Sequence, residues 1–229
     1  VQPFVISQNG KKRLCFNYKP LNSHVEKVPF KGDGIKQIFA SLRPNDYVMG
    51  LDVHKFYWHF KLNEASFNLC AILIEDKHGV VQVFRWWTLS FGLTDAPRIA
   101  VKTFSPVVTH MRARGTRIAG TMDDWFLMVQ GLVRCCSEFK YFVDLVMSLG
   151  FNIGPEKYCH IIRRLQRVTE ETDQVPLSVQ EGGPPFFQVA PHWMFRLYGF
   201  FWNTRLNAVF IPREKVKKAL GLLDSLIEV

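Results

Sequence analysis

The sequence predicts a mixed α+β chain, and three observations carry that reading. Short apolar, β-prone runs are punctuated by turn residues and pair as hairpins. Two longer segments, 94–114 and 132–149, carry the caps and stops of helices. Between them, residues 117–129 place two adjacent carboxylates, Asp123 and Asp124, between two apolar runs. Neither run is long enough for a helix and the second is aromatic, so the stretch reads as strand, tight turn, strand. Asp is a poor strand residue and a good turn residue, which puts the pair at the hairpin tip. Two like charges beside a hydrophobic sheet repel each other and resist desolvation. A cation relieves both problems, and carboxylate oxygens suit magnesium. A solvated Asp-Asp turn is the plainer reading of the pair alone, so the rest of the chain has to decide.

Composition sets the bounds. With 229 residues, 48% hydrophobic and 21% charged, the chain is a folded one with room for one sizeable core or two lobes. The balance of 29 basic against 20 acidic residues gives a net charge of +9, which points to a polyanionic partner. Many of the 20 Phe and six Trp belong to a core, although such rings also stack on bases. The five cysteines (Cys15, Cys70, Cys135, Cys136, Cys159) are odd in number and form no C-x-x-C. That supports neither a disulfide framework nor a zinc site, and Cys159-His160 reads as structural. Reduced thiols fit an intracellular protein, cytoplasmic or nuclear. No apolar run reaches about 18 residues, so no membrane partner is expected. The chain opens on Val1, without a signal-peptide pattern, as a piece of a longer polypeptide would.

Taken in order, Asn9-Gly10 is a turn signal, followed by a short alternating strand that ends at Pro20. Three cations cluster at its start. A solvated basic hairpin accounts for them, as does a phosphate contact through the fork of Arg13. After Gly32-Asp33-Gly34, apolar residues fall at Ile35, Ile38, Phe39 and Leu42, the spacing of a short amphipathic helix. Residues 47–51 form a buried strand ending at Asp52, a place where a sheet fixes a carboxylate while a loop leaves room for a ligand. The aromatics after it are either core or the wall of a nucleotide-sugar site. Residues 70–75 and 80–87 pair around Lys77-His78-Gly79. In Leu89-Ser90-Phe91-Gly92-Leu93-Thr94-Asp95-Ala96-Pro97-Arg98, a tight turn at Gly92 leads into a capped helix. That helix runs to about Arg114 and should be kinked or interrupted at Pro106.

The clearest helix spans 132–149, with Leu132, Cys136, Phe139, Val143 and Val146 on one stripe and Gly150 as its stop. A short strand at 151–153 and a loop with Lys157 follow. Residues 163–192 turn polar and lose periodicity, the pattern of a long mobile insertion. Residues 195–203 and 208–211 read as a hairpin, and 213–227 as a last amphipathic helix.

Together these blocks resemble the fingers and palm of a reverse transcriptase. The resemblance rests on Arg13-x-x-x-Asn-Tyr-Lys-x-Leu-Asn, a strand ending in Asp52, Leu-Ser-Phe-Gly-Leu-x-x-Ala-Pro, Met-Asp-Asp, and Leu149-Gly150-Phe151 with Lys157. It covers roughly residues 4–160 and 195–218, and is greatest to DIRS-like (tyrosine-recombinase) retrotransposons. It implies a right-hand polymerase fold in which a four-stranded antiparallel palm sheet is backed by helices 94–114 and 132–149. Fingers would span 1–50 and 61–100, palm 51–60 and 101–162, an insertion 163–192, a primer-grip-like hairpin 193–212, and the start of a truncated thumb 213–229.

The resemblance also implies roles. Asp52, Asp123 and Asp124, with the Val53 carbonyl, would hold two Mg2+ ions, Mn2+ being able to replace them. Arg13, Phe91, Gly92 and Lys157 would contact the dNTP, and Tyr57 would be the steric gate against a 2′-hydroxyl. Tyr198, Gly199 and Phe200 would grip the primer. Implied partners are a primed RNA or DNA template, dNTPs, and other polyprotein parts such as ribonuclease H and a recombinase or integrase. This sequence departs from the pattern at Thr121 (usually Tyr), Ser90 (usually Pro), Asn17 (usually Asp) and Lys55-Phe56 (usually Asp-Ala). Phe56 is the departure expected to crowd an incoming sugar. Three readings follow: a retrotransposon polymerase domain, an inactive relic that still binds nucleic acid, and a viral polymerase fragment of the hepadnavirus kind.

Overall fold

The computed structural model describes residues 1–8, 10–153, 194–197, 200–212 and 214–220. The chain opens with an antiparallel hairpin, β1 (Gln2–Gln8) and β2 (Lys11–Asn17), in which Arg13 is registered opposite Ile6. The Asn-Gly turn signal marked only the second arm of this hairpin. A four-residue helix α1 (Lys19–Asn22) and helix α2 (Ile35–Ser41) lead to β3 (Asp46–Asp52). A 3-10 turn at Phe56–His59 precedes a second hairpin, β4 (Ile72–Glu75) and β5 (Val81–Phe84). Then come α3 (Ala96–Ala113), β6 (Arg117–Thr121), β7 (Asp124–Gln130) and α4 (Leu132–Ser148). Beyond these, β8 (Met194–Leu197), β9 (Phe200–Asn203) and β10 (Ala208–Phe210) form an antiparallel meander, and residues 214–220 are helical.

The central sheet has the order β3-β7-β6, antiparallel throughout. Its pleat sorts the side chains by a period of two. Met49, Leu51, Ile118, Trp125, Leu127 and Val129 face α3 and α4, where Phe104, Met111, Phe139, Phe142 and Val146 complete the main core. Val48, Ala119 and Met128 face the other way, onto Ile38 of α2 and Trp202 of β9. Phe104 is central to the first layer, stacked on Trp125 at 4.8 Å and edge-on to Phe151 at 5.1 Å.

Four expectations change here. The palm sheet has three strands among the described residues, not four. Residues 151–153 are not a strand, because their backbone bonds to the loop after β3 instead. Helix α3 runs unbroken through Pro106. The Lys102 carbonyl, which a residue at 106 would normally fill, accepts from the Ser105 hydroxyl at 2.7 Å, and Pro106 itself is exposed. The stretch read as one arm, 195–203, divides into β8 and β9. Residues 163–192 and Lys157 lie outside the described residues, as do residues 221–227 of the expected last helix. Among the described residues no helix is long and apolar enough to cross a membrane.

One close approach fixes the 117–129 hairpin. A Cβ on Gly120 would stand 2.2 Å from the Asp124 carbonyl oxygen and 2.8 Å from the Trp125 Cα, so β6 admits only glycine there without moving backbone.

Candidate active site

β6 and β7 are joined by a two-residue turn, Met122-Asp123, with Thr121 registered opposite Asp124. Asp124 thus opens β7, and Asp123 stands in the turn itself. Met122 takes a positive φ of 54°, an uncommon conformation for a side-chain-bearing residue. Two contacts hold it: the Trp125 indole N–H donates to its carbonyl at 2.8 Å, and the Tyr57 hydroxyl donates to its sulfur at 3.1 Å.

The same register brings in the third carboxylate. Asp52 at the end of β3 is opposite Asp124, and the Val53 N–H donates to the Asp123 carbonyl at 2.8 Å. By pleat alternation Asp52 and Asp124 belong to the sheet face of Gly50 and Phe126, away from the α3–α4 layer. All three aspartates are half-buried. Residues 71 and 72 positions apart in sequence thereby meet at one sheet end. Their side chains do not converge on a ready-made cluster of three His, Cys, Asp or Glu ligands among the described residues. Mutual repulsion of adjacent carboxylates acts against such a cluster.

Tyr57 lies beside this sheet end. It is 4% exposed, edge-on to Phe91 at 4.8 Å. Burial, and then the nearby Asp123 carboxylate, push its hydroxyl up to about 12, so it stays a neutral donor. Phe56 does not crowd this space. It turns into the core against Phe60, Phe104 and Phe151, because its position in the 3-10 turn directs it inward. Lys55, at the turn's left-handed start (φ 52°), lays its ammonium over the Trp58 ring at 4.4 Å.

The Phe91-Gly92 turn is fastened by a residue to which sequence reasoning gave no role. The Asn22 amide donates to the Gly92 carbonyl at 2.7 Å and accepts from the Thr94 N–H at 3.0 Å. Gly92 has φ +98°, and a Cβ there would press on the Phe16 carbonyl oxygen and the Tyr18 ring, each at 3.3 Å. Phe91 is 57% exposed. Ser90, in place of a proline, is buried beneath the turn.

Arg13 lies on β2, in the hairpin away from the carboxylates in sequence; its backbone register is as given above. Phe200 begins β9, whose Trp202 packs under the central sheet. Lys157, Tyr198 and Gly199 lie outside the described residues.

The arrangement is a fingers–palm fold of the polymerase kind, an antiparallel sheet with acidic side chains at one end and helices behind it. It matches the foamy viral protease–reverse transcriptase in complex with dsDNA, with a TM-score of 0.67 over 94% of this chain and 37% of that one, at 13% identity. The native prototype foamy virus protease–reverse transcriptase gives a TM-score of 0.56 over 66% of this chain and 19% of that one, at 15% identity. Residues 6–182 match the family described as reverse transcriptase (RNA-dependent DNA polymerase), and the chain belongs to that family.

Relatives lie among plant viruses. Polyprotein P3 of Commelina yellow mottle virus is 29% identical over 66% of this chain, and the genome polyprotein of Petunia vein clearing virus 24% over 65%. The enzymatic polyprotein of Figwort mosaic virus is 28% identical over 40%. The chain spans only 8%, 6% and 13% of those polyproteins. These relatives are pararetrovirus polyproteins, so the specific likeness to DIRS elements is not what the comparisons support.

Proposed function

We infer that this domain transfers nucleotides from dNTPs to a primer 3′-hydroxyl on an RNA or DNA template. The observation that carries this reading is the β3–β7 register, which sets Asp52 opposite Asp124 with Asp123 in the adjoining turn. An all-oxygen donor set of carboxylates, with the Val53 carbonyl following Asp52, fits hard divalent ions. Asp52, Asp123 and Asp124 would hold two Mg2+, or Mn2+ in their place. Held there, the ions would supply charge neutralisation at the phosphates and a more acidic primer hydroxyl.

The chain's own groups do the rest. Tyr57 presents a neutral ring and hydroxyl beside the carboxylates, where a ribose 2′-hydroxyl would meet it, so it acts as the sugar gate. Phe91 and Gly92 line the nucleotide side, Arg13 takes the triphosphate, and Lys157 serves the leaving group. Tyr198, Gly199 and Phe200 hold the primer.

The family's chemistry and the plant-virus relatives support a viral polyprotein as the source more than a retrotransposon. Ribonuclease H and a recombinase or integrase would be neighbours in that polyprotein. The inward turn of Phe56 removes the main objection to dNTP entry, and so weighs against an inactive relic.

Primer extension on an RNA template with Mg2+ tests the reading. The parent chain should extend, Asp123→Asn should not, and both should bind the duplex equally. Equal extension by both would sink the carboxylate assignment. Binding with no extension by either would favour the relic.

A further inference from the structure

The residue that follows Phe151, Asn152, is tied to two turns at once. Its carbonyl accepts from the His54 N–H at 2.8 Å, and its own N–H donates to His59 Nε2 at 2.9 Å. A backbone amide can only donate, so Nε2 must be the unprotonated nitrogen of a neutral imidazole. The proton then sits on Nδ1, 3.2 Å from the Phe56 carbonyl, and donates to it. One ring therefore closes the 56–59 turn on itself and fastens it to residues 151–153, with the Phe151 ring 5.1 Å away.

That turn needs outside support. It is a single 3-10 turn, held internally by Trp58 N–H to the Lys55 carbonyl at 2.8 Å and Phe60 N–H to the Tyr57 carbonyl at 3.2 Å. Such short turns have poorer hydrogen-bond geometry than an α-helix. Tyr57 sits in its middle, and its hydroxyl reaches the Met122 turn beside Asp123. Asn152 also grips the backbone just after Val53 through His54. The gate turn and the Asp52-Val53 backbone thus share one anchor.

We propose that His59 is a positioning residue for nucleotide selection: through the Asn152 backbone it sets where the Tyr57 ring stands relative to the carboxylates. The inference rests on the reading of Tyr57 as the sugar gate. His59 touches no substrate in this role. It acts by holding the turn, and displacements of about 1 Å suffice to change a positioned reaction.

Two measurements on the intact chain test it. Imidazole 15N NMR should show His59 protonated at Nδ1 and bare at Nε2, the less common solution tautomer; the opposite tautomer overturns the strap without any variant being made. In the second, selectivity is read as the ratio of kcat/KM for dNTP over rNTP. His59→Phe keeps a ring on Phe151 but has neither nitrogen, whereas His59→Gln offers an amide oxygen to Asn152 and an N–H to Phe56. Selectivity should fall about tenfold in His59→Phe and return to within about twofold of the parent in His59→Gln, as expected when positioning hydrogen bonds are lost and restored. Parental selectivity in His59→Phe overturns the inference. Tyr57→Ala is run beside them: if it collapses selectivity while His59→Phe does not, only the strap falls. If Tyr57→Ala also leaves selectivity unchanged, the gate assignment falls and the inference goes with it.

Discussion

Strand β3 carries an aspartate at each end, and their neighbours give them opposite lives. Asp46 is fully buried and bidentately paired with Arg117, while the Arg43 N–H donates to its carboxylate at 2.7 Å. Arg117 also donates to the Ser41 carbonyl at 2.7 Å, and the Thr204 hydroxyl donates to the Asp46 carbonyl at 2.6 Å. This end knots α2, β3, β6 and the β9–β10 connection together. At the far end, 6 residues on, Asp52 is half-buried and registered opposite a second carboxylate, Asp124. The same side chain is neutralised where an arginine faces it, and set against a like charge where another acid does. A folded protein keeps like charges together when something else rewards it, and under the proposed reaction that reward would be a bound cation.

This contrast predicts that activity and stability separate along one strand. Asp52→Asn should lower primer extension by roughly 10³-fold or more, the scale of losing a principal electrostatic group, while thermal stability holds or rises. A variant that extends normally would place the metal elsewhere. At the other end, Arg117→Met leaves Asp46 buried without its partner and should cost about 3–5 kcal/mol. In a chain this size that lowers Tm by on the order of 10 °C, with extension per folded molecule preserved. If instead extension fails at temperatures where the variant is folded, the two ends are coupled and the contrast breaks.

The smallest effect concerns Tyr57, whose hydroxyl lies raised from 10.0 to about 12. A group with a raised folded-state value contributes stability that is fully present below its unfolded value. Stability should therefore hold up to pH 10 and be lost as pH climbs from 10 towards 12, by up to about 2–3 kcal/mol. Urea unfolding at pH 9 and pH 11.5 measures the loss, and Tyr57→Phe should abolish that part of it.

What could be read from the residues was what is local. Turn chemistry and apolar runs located Asp52 at a strand end, and Asp123-Asp124 at a hairpin tip. Helical spacing located α4 almost to the residue. The failures have physical causes that spacing does not register. Pro106 was expected to break α3, but a neighbouring serine occupies the carbonyl that proline strands. Phe56 was expected in the substrate space, but a left-handed Lys55 starts a turn that swings it into the core. Residues 151–153 looked like a strand because they are apolar, yet their backbone partners are the loop at His54 and the ring of His59. Asn22 and His59 escape for another reason: they bind backbone groups 70 to 93 positions away, and no periodicity announces such a bond.

Gly120 has a bearing on lineage as well as shape. Its hydrogen faces backbone, so shrinking Trp125 would not make room for a larger residue. A descendant chain released from polymerase work could accept changes at Asp52 or Asp123 with little harm to folding, but a change at Gly120 would disturb the hairpin whatever the chain was doing. Among related sequences, glycine kept at 120 beside altered acids would mark proteins that still fold after ceasing to polymerise, whereas loss at both would mark sequence drifting without a fold to keep.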